Sequence, residues 1–233
     1  MTTVAVMQPY FLPYIGYWQL LAAADIFVIL DDVNFITRGY INRNSILLNG
    51  APHLFTLPLK KASQNNLINE TKMDFSSAAR EKLLKTIKSA YLKAPFFQNV
   101  WPMLEDIINL KTDDLVEYIS HSFSSIGKYV GQNFNLTLSS QMPKDSTLKG
   151  AERILDICRA LKAVTYINAP GGRKLYGRNE FSAKGFNLKF LKPGEIKYRQ
   201  FSDDFTANLS IIDILMFNEP ARINAFLEDY TLE

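Results

Sequence analysis

The chain has 233 residues, of which 47% are hydrophobic and 12% aromatic, enough to build a substantial core and to exclude disorder as the main state. Its 26 Lys and Arg against 23 Asp and Glu leave a net charge of +3, too small for a general nucleic-acid binder, so any anion it binds is bound locally. Cys158 is the one cysteine, which forbids an internal disulfide, and with only His53 and His121 beside it the chain offers no metal-ligand cluster.

The N-terminus MTTVAVMQPY has neither a basic leader nor a long apolar stretch, and no run reaches the roughly 18 to 20 apolar residues of a membrane span. The expectation is a cytoplasmic protein without stable membrane insertion.

In chain order, TVAVM (Thr3 to Met7) predicts a buried strand, IGYWQLLAAA (Ile15 to Ala24) a helix, and IFVIL (Ile26 to Leu30) a second strand ending at Asp31-Asp32. Strand, helix and strand within about 30 residues form a βαβ unit and predict a parallel sheet. The runs SILLN and HLFTL, separated by Asn49-Gly50, predict a β-hairpin that extends this sheet.

Residues 76–131 predict a helical insert, broken by Pro95 and Pro102, with Thr112 as N-cap of its last helix and Gly131 near its end. The α/β rhythm then resumes. FNLTLSS and VTYIN predict strands flanking the helix GAERILDICRALKA, and a short helix near Asn179 to Lys184 precedes the strand FNLKFL. Two C-terminal helices, NLSIIDILMF and EPARINAFLEDY, close the chain. The fold class expected is α/β, a Rossmann-like parallel sheet spanning residues 1–233 as one domain, with the helical insert and C-terminal helices.

Ligands of open parallel sheets bind at the carboxyl ends of the strands, beside helix N-termini that favour anions. Gln8, Tyr10, Tyr14, Gly16 and Tyr17 occupy the loop and helix start after the first strand. A proline-stiffened, aromatic-packed loop is the plainer reading of the same residues. Asp31 and Asp32 can hold Mg²⁺, bind a sugar hydroxyl or act as a base, or one of them can cap the following turn. Arg38, Asn42, Arg43 and Asn44 supply donors for phosphate, carboxylate or sugar, or form a solvated basic loop. Lys149 and Arg153 open one helix, and Gly171, Gly172, Arg173 and Lys174 form a glycine-rich loop after a strand; both place cations where anions bind. Neither a Walker loop nor GxGxxG is present. Cys158, His53 and His121 read as structural.

The stretches QPYFLPYIGYWQLLAAADIFVILDDVNFITRGYINRN, KGAERILDICRALKAVTYINAPGGRKLY and NLSIIDILMFN resemble the WbqC-like proteins over nearly the whole chain. That family is associated with lipopolysaccharide O-antigen gene clusters, and a glycine transferase role has been suggested for a member. The resemblance implies a transferase acting on a small-molecule or sugar-nucleotide substrate. In such a transfer the residues themselves suggest Asp31 or Asp32 as base and Arg43 or Lys174 as the group that meets developing negative charge. Such an enzyme needs ATP and Mg²⁺ if it activates the amino acid itself, and a nucleotide-activated donor otherwise. A more distant likeness is to HxGH nucleotidylyltransferases: Tyr14-Ile15-Gly16-Tyr17 stands in the HxGH place, with both histidines replaced by tyrosines that carry no positive charge near neutral pH. Nucleotidyl transfer and non-catalytic binding within a polysaccharide assembly are the alternative functions.

Overall fold

A computed structural model describes residues Met1–Glu233. Its centre is a six-stranded sheet in the order β7-β2-β1-β8-β9-β10. The strands are β1 (Thr3–Met7), β2 (Ile26–Ile29), β7 (Leu136–Leu138), β8 (Thr165–Asn168), β9 (Asn187–Pro193) and β10 (Tyr230–Leu232). All neighbours pair in parallel except β9 and β10, which are antiparallel. Counted along the chain, the five parallel strands lie third, second, first, fourth, fifth, so the order reverses between β1 and β8.

The pleat sorts alternate side chains to two cores. Ala5, Phe27, Ile29, Ile167 and Leu191 face a 46-residue cluster under α1 (Ile15–Ala23), α2 (Ser77–Tyr91), α3 (Phe97–Asn109), α4 (Leu115–Val130), α7 (Ile211–Phe217) and α8 (Pro220–Glu228). Val4, Val6, Val28, Tyr166, Leu188 and Phe190 face a 13-residue cluster under α5 (Gly150–Ala160) and α6 (Arg178–Ser182). Both faces are covered, which is why the strands read as continuous apolar runs rather than as alternation. No helix is long and apolar enough to cross a membrane.

Four expectations are corrected. The hairpin β3 (Arg43–Leu48) and β4 (Ala51–Thr56) turns at Asn49-Gly50 with both residues at positive φ, as its sequence requires, yet it forms a separate two-stranded sheet. A second small sheet pairs β5 (Leu59–Lys60) with β6 (Lys72–Met73). Pro102 lies within α3 and does not end it. The N-cap of α4 is Asp114, whose side chain accepts from the Glu117 N–H, while the Thr112 hydroxyl donates to Glu117. The strand β10 carries no β-branched run and was hidden behind the helical pattern of EPARINAFLEDY.

The loop from Gln8 to Tyr14 ties the parts together. Phe11 and Leu12 are fully buried; Phe11 packs on Phe55 of the hairpin and Tyr118 of α4. Leu12 adopts φ +45°, a left-handed conformation that costs a leucine about 1–3 kcal/mol. Its carbonyl is fixed by two donors, Asn44 Nδ2 at 2.7 Å and Ser210 Oγ at 2.8 Å. The Trp18 indole N–H and the Ile211 N–H both donate to the Pro13 carbonyl. Asn44→Ala is therefore expected to cost about 2 kcal/mol and to lower the melting temperature by about 4–8 °C, measured by calorimetry. Because Asn44 and Ser210 share one acceptor, Asn44→Ala combined with Ser210→Ala is expected to depart from additivity.

Candidate functional site

Three groups of residues gather at the carboxyl ends of the parallel strands. The first lies above β1, at the reversal of strand order. The Tyr10 and Tyr17 rings pack tilted with centroids 5.5 Å apart, and those of Tyr10 and Tyr40 at 6.0 Å. Burial first, and then the nearby hydroxyls of Tyr14 and Tyr40, push the Tyr10 hydroxyl above its ordinary pKa; Tyr14 is raised by burial and by Tyr40. The Tyr10 and Tyr14 phenols stay neutral donors at physiological pH. Tyr17 is buried beneath them, its hydroxyl donating to the Gln8 carbonyl at 2.8 Å.

No side chain caps the N-terminus of α1; the Tyr17 N–H donates to the Tyr14 carbonyl, which leaves the N–H groups of Ile15 and Gly16 in the first turn without a side-chain partner. A Cβ on Gly16 would meet the Tyr14 ring at 2.6 Å: the close approach this glycine permits is that of Tyr14. Between Tyr14, Gly16 and the segment after β9 lies a cleft of about 290 Å³, walled by Tyr198 and Phe205, whose rings meet edge to face at 5.1 Å. The wall is braced from behind. Asp213, fully buried, accepts from Tyr91 and Tyr198 hydroxyls at 2.8 and 2.6 Å and from Gln200 Nε2 at 2.7 Å. Burial raises its carboxyl above the usual value, against the lowering effect of these donors.

The second and third groups divide the Asp31-Asp32 pair. Successive residues leave a strand on opposite sides, and these two do so. Asp31, 1% exposed, turns to β7, where it accepts from the Ser140 N–H at 2.9 Å and the Ser140 hydroxyl at 2.6 Å. Asp32 turns to α5, 2.7 Å from Lys144 Nζ and 3.7 Å from Arg153, both largely buried. Burial raises the Asp32 pKa, but the Lys144 hydrogen bond, the Ser139 hydroxyl and the charges of Lys144 and Arg153 outweigh it and hold the carboxyl below its ordinary value. The pair cannot chelate one cation between two side chains that diverge, and no group of three or more His, Cys, Asp or Glu side chains converges anywhere in the chain.

The remaining predicted residues are mostly engaged internally. Arg153 donates to the carbonyls of Asp32, Leu148 and Ser146. Arg43 donates to the carbonyls of Gly39 and Arg38, with Arg38 itself exposed at φ +61°. Asn42 donates to the Leu57 carbonyl at 2.9 Å and Asn44 holds Leu12. The glycine-rich segment is a short 3-10 helix, Pro170–Lys174, in which Gly172 packs where a Cβ would lie 2.7 Å from Asn168 Nδ2. Arg173 pairs with Glu233 and stacks over Phe190 at 4.8 Å. Lys149 and Lys174 are exposed, and Gly171 has open space around it. The helix that follows Lys149 has that residue as its N-cap, with no side-chain cap hydrogen bond.

Sequence reasoning missed Ser140 and Lys144, although SSQMPK begins at the carboxyl end of the predicted strand FNLTLSS and so falls on the ligand side. It also missed Tyr40, Tyr198 and Asp213, which join the site only through tertiary contacts. Cys158 is buried, and burial pushes its thiol up to about 12, which suits a core residue. Asp106 and Ser125 both contact Nε2 of His121, at 3.1 and 3.3 Å, so that arrangement cannot relay a proton across the ring.

The sequence profile described as the WbqC-like protein family matches residues 8–225. An uncharacterised protein of Mycobacterium tuberculosis, Rv1507c, is 24% identical over 230 residues, covering 97% of this chain and 98% of its own. No solved structure matches the chain.

The Asp32 cluster predicts a signed pH dependence. A depressed folded pKa gives a contribution that is complete above the unfolded value of 3.8 and is lost as pH falls through the folded value. Asp32→Asn, which strands the Lys144 charge, is expected to cost about 3 kcal/mol at pH 7 and to flatten the acid limb of the stability curve below the ordinary carboxylate range, measured by urea unfolding across pH.

Proposed function

This chain belongs to the WbqC-like protein family, and we propose that it is a cytoplasmic transferase that binds a phosphate-bearing, nucleotide-type donor above β1, β8 and β9 and passes an acyl group to a sugar or sugar nucleotide. The observation that carries this reading is the reversal of strand order between β1 and β8, beside the uncapped N-terminus of α1. A third-second-first-fourth-fifth parallel order is the Rossmann-like order short of its sixth strand, in which ligands occupy the crevice at the reversal. The α1 N–H groups suit a phosphate and the Tyr14, Tyr198 and Phe205 cleft suits a flat ring. Glycine is the acyl group that the family resemblance implies.

In this reaction the acceptor amine attacks the activated carbonyl carbon. An N–C bond forms, the C–O bond to phosphate breaks, the phosphate departs with the bonding pair, and the amine gives up a proton. Of the two carboxylates, Asp31 is the better base. Asp32 is held ionised by Lys144 and Arg153 and is weakly basic, whereas Asp31 has no ion-pair partner and is oriented by Ser140. Arg43, Arg153 and Arg173 are engaged in internal contacts, so the charge developing on the leaving phosphate is met by backbone N–H groups and tyrosine hydroxyls.

The test is transfer of labelled glycine in the presence of ATP and Mg²⁺ to an amine-bearing sugar. The expected product is an acid-stable amide, with pyrophosphate released in a glycine-dependent way, and Asp31→Asn is expected to lower kcat by about 100-fold or more. Label from the nucleotide α-phosphate in the product would replace acyl transfer by nucleotidyl transfer, and absence of both labels from any product would favour a non-catalytic binding role.

A further inference from the structure

A cleft of about 710 Å³ opens beside β7, on the edge of the sheet away from the tyrosines. Its volume falls within the range of small-molecule sites. Ile29, Leu136 and Leu138 give it an apolar floor, and Asp31 and Ser140 stand at one end. No lysine or arginine lines it. Of its three carboxylates, Asp114 is neutralised by Lys72 at 3.0 Å, while Asp31 and Glu117 have no ion-pair partner. Independently of charge, Asn69 Oδ1 and Ser120 Oγ in its wall are shielded from solvent and make no hydrogen bond. An unmade bond of this kind costs about 1–3 kcal/mol, which rotation of either side chain toward a polar ligand in the cleft recovers.

We infer that this cleft is a binding site for an amino-sugar unit: a polyhydroxylated small molecule whose protonated amine is held by Asp31 and Glu117, whose hydroxyls meet Asn69 and Ser120, and whose C–H face lies on the apolar floor. Anionic ligands are repelled by the same carboxylates. Phosphate recognition therefore belongs to the α1 side of the sheet and amine recognition to the β7 side. One intervening strand, β2, separates β7 from β1, and Asp31 stands just beyond its carboxyl end. The role of acceptor site rests on the transfer proposed above; the binding itself does not.

The experiment is a titration of the ¹⁵N-labelled full chain with glucosamine, glucose and glucose 6-phosphate at constant ionic strength, without nucleotide. Saturable amide shifts at Asn69, Ser120 and Ser140 are expected with glucosamine at millimolar concentration, with affinity about ten-fold tighter than for glucose and no response to glucose 6-phosphate. Glu117→Gln, at an exposed position, is expected to weaken glucosamine about ten-fold while leaving the spectrum folded. Equal affinity for glucosamine and glucose, shifts confined to other surfaces, or no saturable shift in a folded protein would overturn the proposal. Since ATP is absent, failure here is distinct from failure of the donor reading, which a parallel ATP titration reports.

Discussion

The carbonyl of Leu12 is the point on which the molecule turns. A buried leucine in the left-handed region is unfavourable by itself, and it persists because Asn44 on the hairpin and Ser210 at the start of α7 both donate to that one oxygen. Three segments distant in sequence thereby become one wall: the loop after β1, the hairpin, and the C-terminal helices. Ser210 also donates its N–H to the Ser45 carbonyl, and the Phe11 N–H donates to the Ile41 carbonyl, so backbone bonds tie the start of α7 to the hairpin and the loop to the segment just before it. Strain of this kind survives where surrounding contacts over-determine it, and it sits here directly above the strand-order reversal.

With that loop fixed, the tyrosines have little freedom. Tyr17 anchors on the Gln8 carbonyl and Tyr14 folds back over Gly16, leaving the α1 amides bordered by neutral phenols. The pleat of β2 then allocates two chemically identical residues to different work. Asp31 faces the β7 cleft with a single orienting partner, and Asp32 closes an ion cluster that fastens β2 to α5. Two residues of one chemical type thus have different surroundings because the neighbours across space differ: a serine hydroxyl and N–H for Asp31, a buried lysine and arginine for Asp32.

Much of this was legible in the chain. Continuous apolar runs gave β1, β2, β8 and β9, Asn49-Gly50 gave the hairpin turn, and the ligand-side location of Gln8 to Tyr17 and of Asp31 followed from strand ends. What failed depended on partners across space. Nothing local distinguishes an arginine seeking phosphate from Arg153, which binds Asp32, or Arg173, which binds Glu233. Gly172 looked like a phosphate loop because glycine marks close approach, and the group approaching is Asn168. The hairpin's alternation fits either sheet; contacts across space, Asn44 to Leu12, Phe55 to Phe11 and Ser45 to Ser210 among them, fix where it packs.

The central claim is one of place: donor recognition occurs on the tyrosine loop and its facing wall. Amide hydrogen exchange of the full chain with and without ATP tests it most directly. The account predicts ATP-dependent protection concentrated in residues 8–17 and 193–209, with the exposed strand β4 unchanged. Protection centred elsewhere, or none at concentrations that bind ATP, would contradict it.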